Sequence, residues 1–177
     1  MTLPKDADEY IAIQKAAVGQ NPECGNSHYN LAVGYLGQRR LEEAERELHA
    51  ALECSPGLAE AYVLLGGICL NRGDLEGCLA HNRKAVQVRP GFSEGYGNIG
   101  FVELQRGNVD EAIAANHKAL KLAPDFAPSH NNLTIAYLEK GEYALAVEHC
   151  DKAIALGYDV APQIRQEIEE HRRNVKK

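Results

Sequence analysis

Seven histidines and five cysteines are the side chains of this 177-residue chain best suited to hold a metal ion or to attack a substrate. Cys78 and His81 stand three residues apart, as ligands on one helical turn do, and further along His149 holds the position that matches His81, with Cys150 beside it. Structural zinc takes four closely spaced ligands. The two sets lie two structural units apart, about 20 Å if each unit advances by the ~10 Å packing distance of neighbouring helices. His81, His117 and His149 are therefore expected on the outer face of helices, with no metal held. The sequence contains no Gly-rich phosphate loop, no Gly-x-Ser-x-Gly elbow and no His-Glu-x-x-His. Acid pairs such as Glu42–Glu43 and Glu169–Glu170 suit ordinary charged helix surface. No catalytic constellation emerges, so the expectation is a protein without enzymatic activity or cofactor.

A third chemistry is recognition by carboxamides, and it depends on what positions them. Pro22, Pro56, Pro90 and Pro124 recur every 34 residues, and the next step lands on Tyr158. A fixed period of this length means one supersecondary unit copied end to end. Units starting at Gly25, Ala59, Ser93 and Ala127 align without gaps. Position four reads His28, Tyr62, Tyr96, His130; position seven Leu31, Leu65, Ile99, Leu133; position twenty-seven is Ala51, Ala85, Ala119, Ala153. Each unit carries two apolar segments of helical period, for example Tyr62, Leu65, Ile68, Cys69 and then Leu75, Leu79, Val86. Breakers separate them: Arg-Gly-Asp (72–74), Arg-Gly-Asn (106–108) and Lys-Gly-Glu (140–142). Glycine there can adopt φ > 0 and stop the first helix, and the junction proline stops the second.

This pattern resembles the tetratricopeptide repeat over residues 5 to 177. The resemblance implies an all-α fold, a right-handed α-solenoid of antiparallel helix pairs. The expected order in a single domain spanning 1–177 is a half-repeat helix at 5–22, repeats at 25–58, 59–92, 93–126 and 127–160, and a capping helix at 161–177 with Ile164, Ile168 and Val175 as its apolar stripe. About eleven helices and no strand are expected, an N-terminal turn standing in for the eleventh. The cap should be polar outside, because terminal repeats have no neighbour to cover them.

In this family the first helices line a groove, with ligand contacts at positions 2, 5, 6, 9, 12 and 13. Carried onto this sequence, the peptide-binding residues are Asn26, Tyr29, Asn30, Glu60, Val63, Leu64, Glu94, Asn98, Phe101, Asn131, Asn132 and Ile135. Position six holds Asn30, Asn98 and Asn132, interrupted by Leu64. A carboxamide offers two donors and an acceptor, so it can pair with both N–H and C=O of an extended chain. The row is similar to the asparagine ladder in the repeat domain of O-linked N-acetylglucosamine transferases. It does not resemble the two-carboxylate clamp that grips acidic chaperone tails: the lysine and arginine positions of that clamp hold Tyr29 or Val63, Glu94 or Pro128, and Asn98 or Asn132. With Glu60, Glu94 and Glu139 nearby, the expected partner is an extended protein or peptide segment, neutral or basic. The alternative is a homo-oligomer assembled through terminal helices and groove. Position 24, commonly aromatic in the family, holds Leu48, Asn82, Asn116 and Cys150, so Asn82 and Asn116 either bond to backbone or sit in a wetter face. Gly97, in the third repeat's first helix, is read as either leaving room for a ligand or a tolerated defect.

Composition narrows the partners. The net charge of −6 argues against nucleic acid. Arg172, Arg173, Lys176 and Lys177 complement a helix C-terminus. No apolar run approaches the ~18 residues of a membrane span, and the N-terminus lacks the basic and apolar regions of a secretory signal. Cys24, Cys54, Cys69, Cys78 and Cys150 are odd in number, with no Cys-x-x-Cys. Cys69, Cys78 and Cys150 fall at interior positions of the repeat and read as small apolar side chains, and the whole set favours a reducing compartment, the cytoplasm.

Overall fold

A computed structural model describes the backbone of residues 6–175 and the side chains of residues 6–173. Among the described residues there are ten α-helices and no strand. The expected N-terminal turn falls on residues 1–5, and Lys176 and Lys177 follow the last helix; all lie outside the described residues, as does the side chain of Val175. The helices group into two compact units, Met1–Pro90 and Gly91–Lys177, where the sequence reading has one domain. The first unit holds α1 (Ala7–Gln20), α2 (Gly25–Gly37), α3 (Leu41–Cys54), α4 (Ala59–Asn71) and α5 (Leu75–Val88). The second holds α6 (Ser93–Gln105), α7 (Val109–Leu122), α8 (Ala127–Glu139), α9 (Tyr143–Ala155) and α10 (Pro162–Val175).

The recurring alanine has two duties. Ala51, Ala85, Ala119 and Ala153 are fully buried, where a larger side chain would hold the helices of a pair apart. The carbonyls of Ala51, Ala85 and Ala119 also accept the last N–H of their helices, from Ser55, Arg89 and Ala123, at 2.8–2.9 Å, which satisfies an otherwise orphaned helix-end acceptor. Ala17 accepts from Asn21 in the same way at 3.0 Å. Where Tyr158 replaces proline, Ala153 accepts instead from Tyr158, one residue later, at 2.9 Å. The extra residue is accommodated by Gly157, whose φ is 81°.

The turn inside each pair is also set by register. Gly73, Gly107 and Gly141 have φ of 77°, 77° and 72°. The first repeat puts Arg39 at that position with φ 58°, a left-handed backbone that costs an L-residue roughly 1–2 kcal/mol. Arg39→Gly is therefore expected to stabilise the first unit by about 1 kcal/mol after glycine's greater unfolded-state entropy is deducted. A urea midpoint that stays put or falls would contradict this.

Each unit has its own core. Ile11, Leu31, Tyr35, Leu48, Leu65 and Ile68 pack together in the first. Leu133, Tyr137, Cys150, Val160 and Ile168 pack in the second, so the C-terminal helix closes the end of the array with Ile168. Asn82 and Asn116 bond to backbone: their Nδ2 groups donate to Cys78 O at 2.9 Å and Ala112 O at 2.8 Å. Both are buried because the facing position-eight residue is glycine. A Cβ on Gly66 would sit 2.5 Å from Asn82 Nδ2, and one on Gly100 would collide with Asn116 Nδ2. Gly97 makes room for protein, not ligand. A Cβ there would meet the Phe126 ring at 2.5 Å and Ser129 Oγ at 3.0 Å.

Candidate functional site

First-helix side chains that the sequence assigns to a peptide site separate into exposed and buried sets. On α2, Asn26, Asn30, Val33 and Gly37 are all exposed and follow one another at helical spacing, forming a stripe of carboxamide and apolar groups. Tyr29 is half-buried against the core of its unit. On α4, Leu64 is half-buried beside that core, Gly67 is exposed, and Val63 is buried at 7% exposure, which removes it from the expected contact surface. The Glu60 carboxylate receives Arg89 Nη2 at 2.8 Å. That hydrogen bond holds Glu60 below the usual carboxylate range and reduces the acidity expected of this face.

In the second unit α6 exposes Glu94 and leaves Asn98 and Phe101 half-buried. On α8 the half-buried Ile135 packs against Leu104, Ala112 and Ala136. Asn131 and Asn132, however, are buried. Asn132 Nδ2 donates to Gly97 O and to Asn116 Oδ1, both at 3.1 Å, tying α8 to α6 and α7. Its place in the row thus has a packing reason. Asn116 stands at position 24 of one repeat and Asn132 at position six of the next, sixteen residues on. The same step in the sequence relates Gln14 to Asn30, Leu48 to Leu64 and Asn82 to Asn98, polar with polar and apolar with apolar. This matching is present in the sequence and is the signal that Asn132 meets Asn116.

The histidines form a cluster that sequence reasoning missed. His149, expected on an outer face, is buried, and its Nδ1 lies 2.8 Å from Nδ1 of the buried His130. His130 Nε2 lies 3.0 Å from Pro124 O. The Tyr137 ring stacks on His149 at 5.6 Å between centroids, and His117 Nε2 lies 2.8 Å from the Tyr137 hydroxyl. Burial, with the neighbouring His130 second, pushes His149 down to about 4. The same two positions in the first repeat hold His28 and Glu47. His28 Nε2 again meets the carbonyl of a junction proline, Pro22, at 2.9 Å, but its Nδ1 meets the Glu47 carboxylate at 2.7 Å. Burial alone would lower His28; the Glu47 hydrogen bond and the Pro22 carbonyl outweigh it and raise it. In the first repeat a carboxylate at position twenty-three raises the position-four histidine, whereas in the fourth repeat position twenty-three is itself a histidine, lowered by its burial. No group of three or more His, Cys, Asp or Glu side chains among the described residues could hold a metal ion.

All five cysteines are free thiols. Burial pushes Cys78 up to about 11 and also raises Cys69 and Cys150, away from the thiolate a nucleophile needs.

The sequence profile of the tetratricopeptide repeat matches residues 12–59, 29–91 and 99–159. No curated protein matches the sequence at a significant level. Among solved structures the chain is similar to MamA, with a TM-score of 0.73 at 23% identity over 86% of this chain and 89% of that one. It is similar to PilF of Pseudomonas aeruginosa, with a TM-score of 0.76 at 19% identity over 93% and 85%. It is also similar to YrrB, described as "a TPR protein with an unusual peptide-binding site", with a TM-score of 0.68 at 18% identity over 93% and 84%. These likenesses establish a fold of stacked helix pairs, and the profile spans most of the sequence. The chain belongs to the tetratricopeptide repeat family and is an all-helical solenoid of that kind.

Proposed function

We propose that this chain is a non-enzymatic adaptor or scaffold that holds an extended, neutral or basic segment of a partner protein against its first helices, in the cytoplasm. The observation that carries this reading is the stripe Asn26, Asn30, Val33 on α2. It combines carboxamides, which can pair with a peptide main chain, with an exposed apolar side chain at 37% exposure. Leu64 of α4 offers further half-buried surface within the first unit, and Asn98, Phe101 and Ile135 offer half-buried first-helix surface within the second. Asn131, Asn132 and Val63 serve as support beneath that surface. The description of YrrB as peptide-binding supports a peptide ligand on this fold. A net charge of −6 and the neutralised Glu60 favour a partner that brings no strong negative charge. Five free thiols suit a reducing compartment, and no helix among the described residues is long and apolar enough to cross a membrane.

The test is selection of binding peptides from a random displayed library, followed by affinity measurement with the Asn30→Ala, Val33→Ser double variant. Loss of two carboxamide hydrogen bonds and one apolar contact should weaken the selected peptide about tenfold or more. Unchanged affinity, or enrichment of peptides ending in acidic residues, would remove the proposal.

A further inference from the structure

The histidine cluster opens into a cleft of about 710 Å³ between α7, α8 and α9. Hydrogen-bond direction fixes its chemistry. The Pro124 carbonyl can only accept, so His130 Nε2 must carry the proton. In the uncharged pair His130 Nδ1 is then the acceptor, and His149 Nδ1 must donate to it. That leaves His149 Nε2 as a bare lone pair, with no partner among the described residues, on a side chain only 7% exposed that lines the cleft. At the rim, the Asp125 carboxylate also makes no ion pair or hydrogen bond among the described residues. Lys152, the one lysine or arginine among the described residues lining the cleft, is already engaged by Glu148 at 2.6 Å. Leu145 and Leu156 add apolar walls at 37% and 40% exposure. The cleft therefore presents an unused neutral acceptor, an unused negative charge, flat aromatic faces and apolar flanks.

We propose that this cleft is a second binding site, independent of the first-helix stripe, that takes the guanidinium of an arginine side chain on a partner protein. A guanidinium is planar, so it can lie on the Tyr137–His149 stack; it carries five donors for His149 Nε2 and Asp125; and its charge complements the unmatched carboxylate. A lysine ammonium would lose the stacking, and an acidic group would be repelled by Asp125 and Glu148.

The experiment is a nitrogen-15 NMR titration of the whole protein with N-acetyl-arginine methylamide, using the uncharged citrulline analogue as control. The free protein should show His149 with Nδ1 protonated and Nε2 bare. The arginine probe should shift His149 Nε2 and the amides around Leu145 and Leu156, while the citrulline probe should not. Asp125→Asn, at the exposed rim, should weaken binding about fivefold or more, and His149→Phe should abolish it. If His149→Phe is unfolded by circular dichroism, the Asp125→Asn affinity and the His149 shift decide. Equal response to both probes, shifts confined to first-helix residues, no shift at all, or an Asp125→Asn affinity equal to wild type would each overturn the proposal. Because the probe is a single residue, its failure leaves the peptide stripe untouched, and a failed peptide selection leaves this site untouched.

Discussion

Gly100→Ala should destabilise the second unit by about 3 kcal/mol, a large effect for one methyl group. The added Cβ would collide with Asn116 Nδ2 and lie 2.6 Å from its Cγ. Asn116 cannot swing aside cheaply, because it is fully buried, donates to Ala112 O and accepts from Asn132. Moving it breaks two buried hydrogen bonds and leaves Asn132 with one acceptor fewer. Gly67→Ala provides the contrast. Gly67 lies inside α4 with nothing within 4 Å of an added methyl, so alanine there should stabilise by roughly 0.5–1 kcal/mol through helix propensity alone. Asn116→Cys beside Gly100→Ala should restore part of the loss, since the fourth repeat pairs Thr134 with Cys150 at these positions, both buried. Urea midpoints of the four proteins test the set. Equal effects of Gly67→Ala and Gly100→Ala would mean that the asparagine does not constrain the glycine.

The second large effect is on pH dependence. His149 is held near 4 in the folded protein by burial and by His130, against an ordinary value near ~6.5 when unfolded. Between those values the unfolded chain binds a proton that the folded chain refuses. Unfolding therefore becomes easier as pH falls from about 6.5 towards 4, and the loss is complete below that. At about 1.4 kcal/mol per pH unit the loss is at most ~3.5 kcal/mol, and water entering the open cleft reduces it. The groups facing His149 are His130 and Tyr137 from α8, His117 from α7, and Glu148 and Lys152 from α9. His81, lowered by burial and by His49, acts in the same sense within the first unit. His28 acts oppositely. Its folded value is raised, so the stability it contributes is present below about 6.5 and lost as pH rises through the folded value. Glu43, Glu45 and Glu148 are held low by Arg40, Arg72 and Lys152, so their contribution is lost only on acidification below the ordinary carboxylate range. Comparing the denaturation midpoint of the second unit at pH 7 and pH 5 in wild type and His149→Phe isolates the first contribution. The variant should show a clearly shallower loss, whatever its absolute stability. An identical loss would assign the acid sensitivity elsewhere.

Both results rest on a register that is legible in the sequence. The 34-residue step places the turn glycines, the buried alanines and the exposed α2 stripe where the structure has them. Depth is less legible. Position five or six lies on the same side of every first helix, but α2 packs against α1 and α3, whereas α8 packs against α6, α7 and α9. The additional neighbour buries Asn131 and Asn132 while Asn26 and Asn30 remain exposed. A pattern read one repeat at a time carries no information about how many helices surround a given copy. The histidine pair is hidden for a related reason. His130 and His149 are ordinary singly, and only the comparison of positions four and twenty-three with His28 and Glu47 reveals that these positions meet. The sixteen-residue step gives the asparagines the same lesson. The offset marks which position-six residue faces position twenty-four of the preceding repeat, and burial then separates Asn132, which is covered, from Asn30, which stays open to a ligand.

Whether first-helix side chains hold an extended peptide is decided by amide and side-chain chemical-shift mapping of a library-selected peptide on the whole protein. The largest shifts should fall on Asn26, Asn30 and Val33 of α2, with Leu64 of α4 also affected, while Asn132 and Asn116 move little. Shifts confined to second helices, or a pattern centred on Asn132 with α2 silent, would refute a first-helix peptide site.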